Sequence, residues 1–306
     1  MIVLKRIDVP LYSSKFSKKT YTIHQHLLCL CIKEIQQQSY RDCRDFLDEF
    51  DRLQEILELT NIPHFTTLQK CLQRFPPRWY KMLLKQLTCL VKSRANAVID
   101  GTGLMQTQAS FSYISRIGRQ IKRRDFFKII IVIDPDDGLI LSYKGVHGNC
   151  HESPWFIPLL KDIPIPLDTV CSDKGFDSEK NQRYVVIKRK ARSFIDVRMT
   201  VKRGRYRKQV YQRKQQDPNQ WKQHYYPMRN AIESTNAQFK HRFGDYIPGK
   251  NINSRRRYLA IRILALNLFI LQESGKYPIL FLFFIEDFYN PEKPSHFNIG
   301  KCILIT

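Results

Sequence analysis

Acidic residues are scarce in this 306-residue chain: 28 Asp and Glu stand against 51 Lys and Arg, for a formal net charge of +23. A chain so basic repels itself and calls for a polyanion, with nucleic acid first and an anionic membrane surface second. Long apolar runs are lacking too. The best candidates, 259–271 and 277–285, are interrupted by Arg262 and Asn267 and separated by Glu273 and Lys276. Neither reaches the roughly 20 residues of a spanning helix, so no membrane association is expected and the first reads as a buried helix. None of the eight cysteines forms a C-x-x-C pair, and no long apolar core follows the start of the chain. That argues against a thiolate zinc site and a secretory signal, and points to reduced core thiols in a cytoplasmic protein. No P-loop and no G-x-G-x-x-G occur, so a nucleotide-driven motor and a nucleotide cofactor are not expected.

What is present is enough to fold. Hydrophobic residues make up 43% of the chain, and its length allows one large domain and a small one. Residues 20–94 read as helical, with apolar positions at helical spacing in Leu27, Leu28, Leu30 and Cys31 and again in Phe46, Leu47, Phe50 and Leu53. Ser39 is placed to cap a helix from Tyr40, and Thr66-Thr67 to cap a short one after the break at Asn61-Ile62-Pro63. Helix, break, short helix fits a helix-turn-helix and fits any small bundle equally.

From Ala95 the texture changes. Ala97-Val98-Ile99 leads to Asp100-Gly101-Thr102-Gly103, which reads as a buried strand ending there. Phe126 to Ile133 is a β-branched run, turned back by Pro135-Asp136-Asp137-Gly138 into Leu139 to Tyr143 as a hairpin. Glu152 to Ile163 reads as helix and Asp168 to Cys171 as strand, ending at Ser172-Asp173-Lys174-Gly175. Asp177 or Ser178 then caps a helix over 179–188, and Ser193 to Val197 is a further strand. Between Arg183 and Lys214 lie thirteen Lys or Arg and one acid, Asp196. Such a run is often a solvated face, but with Tyr206 and Tyr211 it suits a nucleic-acid backbone. Pro227 suits a helical first turn, Gly244 a helix stop, and 254–272 a second helix opening at Ser254. His147, Cys150 and His151 lack a fourth zinc partner; His151 and Glu152 are expected to border the active site instead.

Two acids thus end strands, and a third, Glu233, sits on a later helix. Such elements can converge at one sheet edge, where hard oxygen donors suit two Mg²⁺ or Mn²⁺ ions for phosphoryl chemistry. Asp-Gly and Asp-x-Gly are also ordinary turn chemistry, so neither aspartate alone specifies a site. The helix around Glu233 adds pattern. Tyr226, Arg229, Glu233 and Lys240 fall within a stripe about 60° wide, with Lys240 about 10 Å along the axis from Glu233. A carboxylate between cations can serve a metal and DNA phosphates. An i,i+4 salt bridge between Arg229 and Glu233 on a surface helix is the plainer account of that pair.

The segment from Tyr226 to Lys240 has the spacing Y-x2-R-x3-E-x6-K. It resembles the signature of insertion-sequence DDE transposases of the type 4 and type 5 groups. Val98-Ile99-Asp100-Gly101-Thr102 resembles that family's first-aspartate strand, Ser172 to Ser178 its second-aspartate motif, and Gly148 to Ser153 its His-acid-Ser segment. The likeness covers about 95–272. It implies an RNase-H-like α/β fold, a mixed sheet flanked by helices, over 95–272. Before it lies an N-terminal all-α region (1–94, a possible helix-turn-helix DNA-binding unit), and after it a tail, 273–306. Asp100, Asp173 and Glu233 would be the catalytic, metal-binding triad for Mg²⁺ or Mn²⁺. Tyr226, Arg229 and Lys240 would support it and contact DNA, while Lys202, Arg203, Arg205 and Arg207 in the basic stretch are further DNA-contact candidates. The activity implied is metal-dependent cleavage at terminal inverted repeats followed by strand transfer into target DNA, in a homodimer on DNA at the nucleoid. Asp173 and Glu233 are 60 positions apart, so the insertion the family often carries there reduces to a short basic segment near 200–225. Two alternatives share these residues: a nuclease of the same fold without strand transfer, and an inactive transposase-derived DNA-binding protein.

Overall fold

The computed structural model describes residues 9–12, 14–106, 116, 126–198 and 203–274. Lys202 and the 275–306 segment, with its apolar stretch 277–285, lie outside the described residues. Five helices come first: α1 (Ile23–Ile35), α2 (Tyr40–Glu49), α3 (Asp51–Ile56), α4 (Phe65–Arg74) and α5 (Pro77–Val91). Their starts are set locally. Thr22 and Ser39 each close a capping box, with Gln25 and Asp42. The cap of α4 is His64 rather than Thr66 or Thr67, because the imidazole reaches the Thr66 amide while the Thr66 hydroxyl bonds back to that ring.

A five-stranded sheet follows, in the order β3-β2-β1-β4-β5. Its strands are β1 (Ala95–Met105), β2 (Phe126–Ile133), β3 (Ile140–His147), β4 (Leu167–Ser172) and β5 (Arg192–Ile195). β2 runs antiparallel to both of its neighbours, β1 and β3, while β4 and β5 run parallel to β1. The crossovers are helical: α6 (Phe156–Asp162) between β3 and β4, and α7 (Glu179–Arg183), prolonged by a π turn over Tyr184–Lys188, between β4 and β5. Ser178, not Asp177, caps α7. Then come α8 (Arg205–Gln216), α9 (Pro218–Phe243) and α10 (Ile252–Glu273). This is the RNase-H-like mixed sheet between helices that the sequence led us to expect.

Alternation along the strands divides the core. Phe127, Ile129, Ile131 and Ile133 of β2 face one side, and Ile130 and Val132 the other. The second side packs Phe156 and Leu159 from α6, Phe176 from the turn after β4 and Val185 from the π turn. The first side packs α9 and α10, and its apolar cluster runs on without a break into Leu30, Leu47, Leu68 and Leu84 of the N-terminal helices. α10 is the joint. Leu259 to Leu266 are buried, and Arg262 donates to Glu34 (3.0 Å) and to the Tyr246 carbonyl (2.7 Å). A helix that buries a paired arginine belongs in a protein core, and no described helix is long and apolar enough to cross a membrane.

Three expectations change. β1 does not end at Asp100 but runs to Met105, because Gly101, Thr102 and Gly103 continue the ladder against Ile130, Ile129 and Lys128. α10 begins at Ile252 with Asn251 as cap, its side chain accepting from the Ser254 amide. Pro227 lies inside α9, which starts nine residues earlier: Asp217 caps it by accepting from the Gln220 amide, and Pro218 takes the first-turn position. Pro227 therefore removes one hydrogen bond from the helix interior, and Tyr226 is a helical residue like the rest of its stripe.

Candidate active site

The pairing of β1 with β4 aligns Val98 with Cys171 and Ile99 with Ser172. Asp100 and Asp173 are the next residues in that register, on chains about 4.8 Å apart. Val98 and Cys171 belong to the core on the α9 side, so Asp100 and Asp173, two residues on, are placed on that same face. Beyond this point β1 stays paired with β2, while the chain after β4 turns away. The turn is held by Asp173 itself, whose carboxylate accepts from the Gly175 amide at 2.9 Å. The result is a notch at the sheet edge with a carboxyl group on each side.

α9 crosses that face with Ile232, Thr235, Asn236 and Phe239 buried. Glu233, beside Ile232, stays exposed and accepts from Arg229 Nη2 at 2.9 Å. The Arg229 Nη1 is buried without a hydrogen-bond partner. Burial pushes the Asp100 carboxyl up to about 6, and the negative charges of Asp173 and Glu152 add to the rise, while the Gly101 amide and the Arg229 guanidinium oppose it. Arg229 is in turn held above its ordinary value by Tyr225, Asp100 and Glu233, against the pull of its own burial. Asp100, Asp173, Glu152 and Arg229 thus lie within electrostatic reach, with Glu233 tied in through Arg229. Among the described residues, no three His, Cys, Asp or Glu side chains stand as a ready-made metal cage. The pairing of Glu233 with Arg229 and the repulsion between the aspartates favour such an open arrangement. The donors are all carboxylate oxygens, the set that suits a hard divalent cation.

Glu152 sits over Gly101: a Cβ there would lie 2.5 Å from Glu152 Oε1, so a side chain at this position would push the carboxylate aside. Lys128 holds it at 3.0 Å. Sequence reading placed Glu152 near the site but passed over Lys128, whose one signal was a charge interrupting an apolar strand. Lys240 is half-buried and Tyr226 exposed.

Among the described residues, the basic stretch divides into cations held by internal hydrogen bonds and cations that stay exposed. Arg189 donates to the Ile163 and Ile165 carbonyls, Arg213 to the Ser193 carbonyl, and Lys214 to Asp196 at 2.5 Å. Arg207 donates to both oxygens of Asp177, at 2.9 and 2.6 Å. Arg203 and Arg205 are exposed. α8 has no cap of its own; the Glu179 carboxylate accepts from its Tyr206 and Arg207 amides, at 3.0 and 3.1 Å. Gly204, at φ +97°, allows this, since a side chain there would collide with Glu179.

No curated protein matches the chain. A cryo-EM structure of a piggyBac transposase synaptic complex with hairpin DNA is similar at a TM-score of 0.35 and 11% identity, covering 96% of this chain and 81% of that one. The family model described as transposase DDE domain matches residues 94–268, from the start of β1 to near the end of α10. The match spans more than half of the chain, and this chain belongs to the DDE transposase family.

Proposed function

We propose that the protein cleaves DNA at the terminal inverted repeats of an insertion sequence and joins the freed ends to target DNA, with Asp100, Asp173 and Glu233 as its catalytic carboxylates. The observation that carries this reading is the strand register, which sets Asp100 beside Asp173 on the face crossed by the helix of Arg229 and Glu233. The three carboxylates would hold two Mg²⁺ or Mn²⁺ ions. When bound, such ions activate an attacking oxygen and stabilise a leaving one. An Asp100 carboxyl raised to about 6 by burial and by neighbouring negative charge fits a place where positive charge is to be added. Glu233 turns from Arg229 toward the aspartates as the site assembles, and the released guanidinium, with its second nitrogen already unpartnered, takes a DNA phosphate.

Tyr226 and Lys240 extend this contact along α9, one exposed and one half-buried. Lys202, Arg203 and Arg205 give the outer backbone contacts, and Arg207 anchors the helix of Arg205 through Asp177. The spacing from Tyr226 to Lys240 supports a place in the type 4 and type 5 groups. The N-terminal helices over 1–94 bind element DNA, and two copies join two ends as a homodimer on DNA at the nucleoid.

The test is a labelled terminal-repeat duplex with Mg²⁺ or Mn²⁺. Nicking at the element end and joined products are expected, and Asp100→Asn abolishes both while sparing binding. Nicking without joined products would favour a plain nuclease of the same fold. Unchanged cutting by Asp100→Asn would remove this active site.

A further inference from the structure

A hollow among the described residues lies far along the chain from the carboxylates. It is a cavity of about 620 Å³ framed by the segment before α1, by α1 itself, and by α4 and the start of α5. Pockets of this order accept small molecules or parts of larger ones. Its lining combines two features. Lys18, Lys70, Arg74 and Arg78 border it and all four are exposed, whereas no Asp or Glu lines it, and no described carboxylate pairs with any of the four. Lys70 and Arg74 stand one turn apart on α4, so their charges point to the same mouth.

Aromatic groups furnish the interior: Tyr21, Phe75 and Trp79 line it, with the Arg78 guanidinium 5.3 Å from the Trp79 ring. Tyr21 is fixed by its hydroxyl, which donates to the Ile62 carbonyl at 3.1 Å, and its ring lies 5.4 Å from that of His26. The Nε2 of His26 is buried and has no hydrogen-bond partner. Burial lowers the His26 imidazole to about 4, so the ring is neutral near pH 7 and offers a polar edge without a charge. Unpaired cations at the rim, aromatic faces inside and a neutral polar edge at depth match the three parts of a nucleotide: phosphate, base face and base edge.

We propose that this cavity binds an unpaired nucleotide of DNA, its base among Tyr21, Trp79 and His26 and its phosphates on Lys70, Arg74 and Arg78. The inference rests on the reading that DNA is the partner but not on the carboxylate site. A frayed or extruded nucleotide at a DNA end enters such a hollow where a stacked pair cannot.

The experiment measures binding of the full chain in EDTA, so that cleavage plays no part. The probes are a short single-stranded oligonucleotide, the same strand carrying one abasic position, the blunt duplex, and free dAMP as competitor. Trp79→Ala, and separately the surface pair Lys70→Gln with Arg74→Gln, are expected to weaken single-strand binding roughly tenfold or more and duplex binding less than about twofold. The surface pair keeps the test valid where Trp79→Ala fails to fold by circular dichroism. The abasic strand binds more weakly than the intact one, and dAMP competes at high concentration. Equal loss on single strand and duplex, no loss in either variant, or an abasic strand that binds as tightly as the intact one overturns the cavity proposal. Absence of binding to every DNA probe overturns the DNA reading beneath it.

Discussion

Two arginines face carboxylates on either side of Asp173, and they are held very differently. Arg207 gives two hydrogen bonds to Asp177, whose side chain is 0% exposed, and so locks α8 onto the turn before α7. Arg229 gives one hydrogen bond to Glu233, whose side chain is 59% exposed, and keeps a second nitrogen buried and unpaired beside Asp100. The first pair commits both oxygens of a buried carboxylate to one guanidinium. The second is unsaturated, and an unsatisfied buried donor costs on the order of 1–3 kcal/mol. A fold that keeps such a donor beside an aspartate pushed up to about 6 holds its charges ready for something else.

The sharpest way to break the comparison is to remove charge from each side. On the open side, Asp100→Asn is expected to lower strand cleavage on the order of a thousandfold, read by gel on a labelled terminal-repeat duplex. Next comes a crossed pair of substitutions. Arg229→Met should cost roughly a hundredfold in cleavage but under about 1 kcal/mol in urea unfolding, since the Glu233 carboxylate it leaves behind is 59% exposed and solvated. Arg207→Met should do the reverse, costing about 3 kcal/mol by leaving the Asp177 charge buried and alone. Equal stability losses for the two would erase the distinction.

A smaller effect follows from the raised Asp100 carboxyl. A folded-state value of about 6, above the ordinary 3.8, means the folded protein holds this proton more tightly than the unfolded chain. Its contribution is therefore full below about 3.8 and lost as pH rises through about 6. In metal-free protein at pH 7, Asp100→Asn should stabilise by about 1–2 kcal/mol, after discounting for water access, and the gain should vanish near pH 4. Added Mg²⁺ should raise the melting temperature of the parent at pH 7 and not that of the variant. A melting curve unmoved by pH between 4 and 7 in this comparison would contradict the electrostatic account of the notch. Smallest of all, Arg203→Gln or Arg205→Gln should reduce the slope of log affinity against log salt by about one unit each, without altering the cleavage site.

Much of the frame was legible in the chain. The β-branched run at Phe126–Ile133, the turn at Pro135–Gly138 and the cap at Ser39 are local patterns, and each appears where its residues predict. The misreadings share a cause. Pro227 looked like a helix start because proline favours that position, but Asp217 and Pro218 form a complete cap upstream and packing of α9 on the sheet tolerates one lost bond. Asp100 looked like a strand end because the apolar run stops there, but β2 supplies partners through Met105. In both cases a neighbour distant in sequence outweighed a local preference.

The same division holds for the molecule as a whole. Periodicity, caps, charge excess and the order of the acidic segments are properties of neighbouring residues, and the sequence alone determined them. Only the tertiary structure decided that Asp100 and Asp173 are neighbours in register, that Arg229 lies within electrostatic reach of Asp100 while bonded to Glu233, and that residues near 21 and 79 line one hollow. Register and enclosure depend on which distant backbone groups satisfy one another and which apolar faces are buried together, and no local pattern encodes that choice.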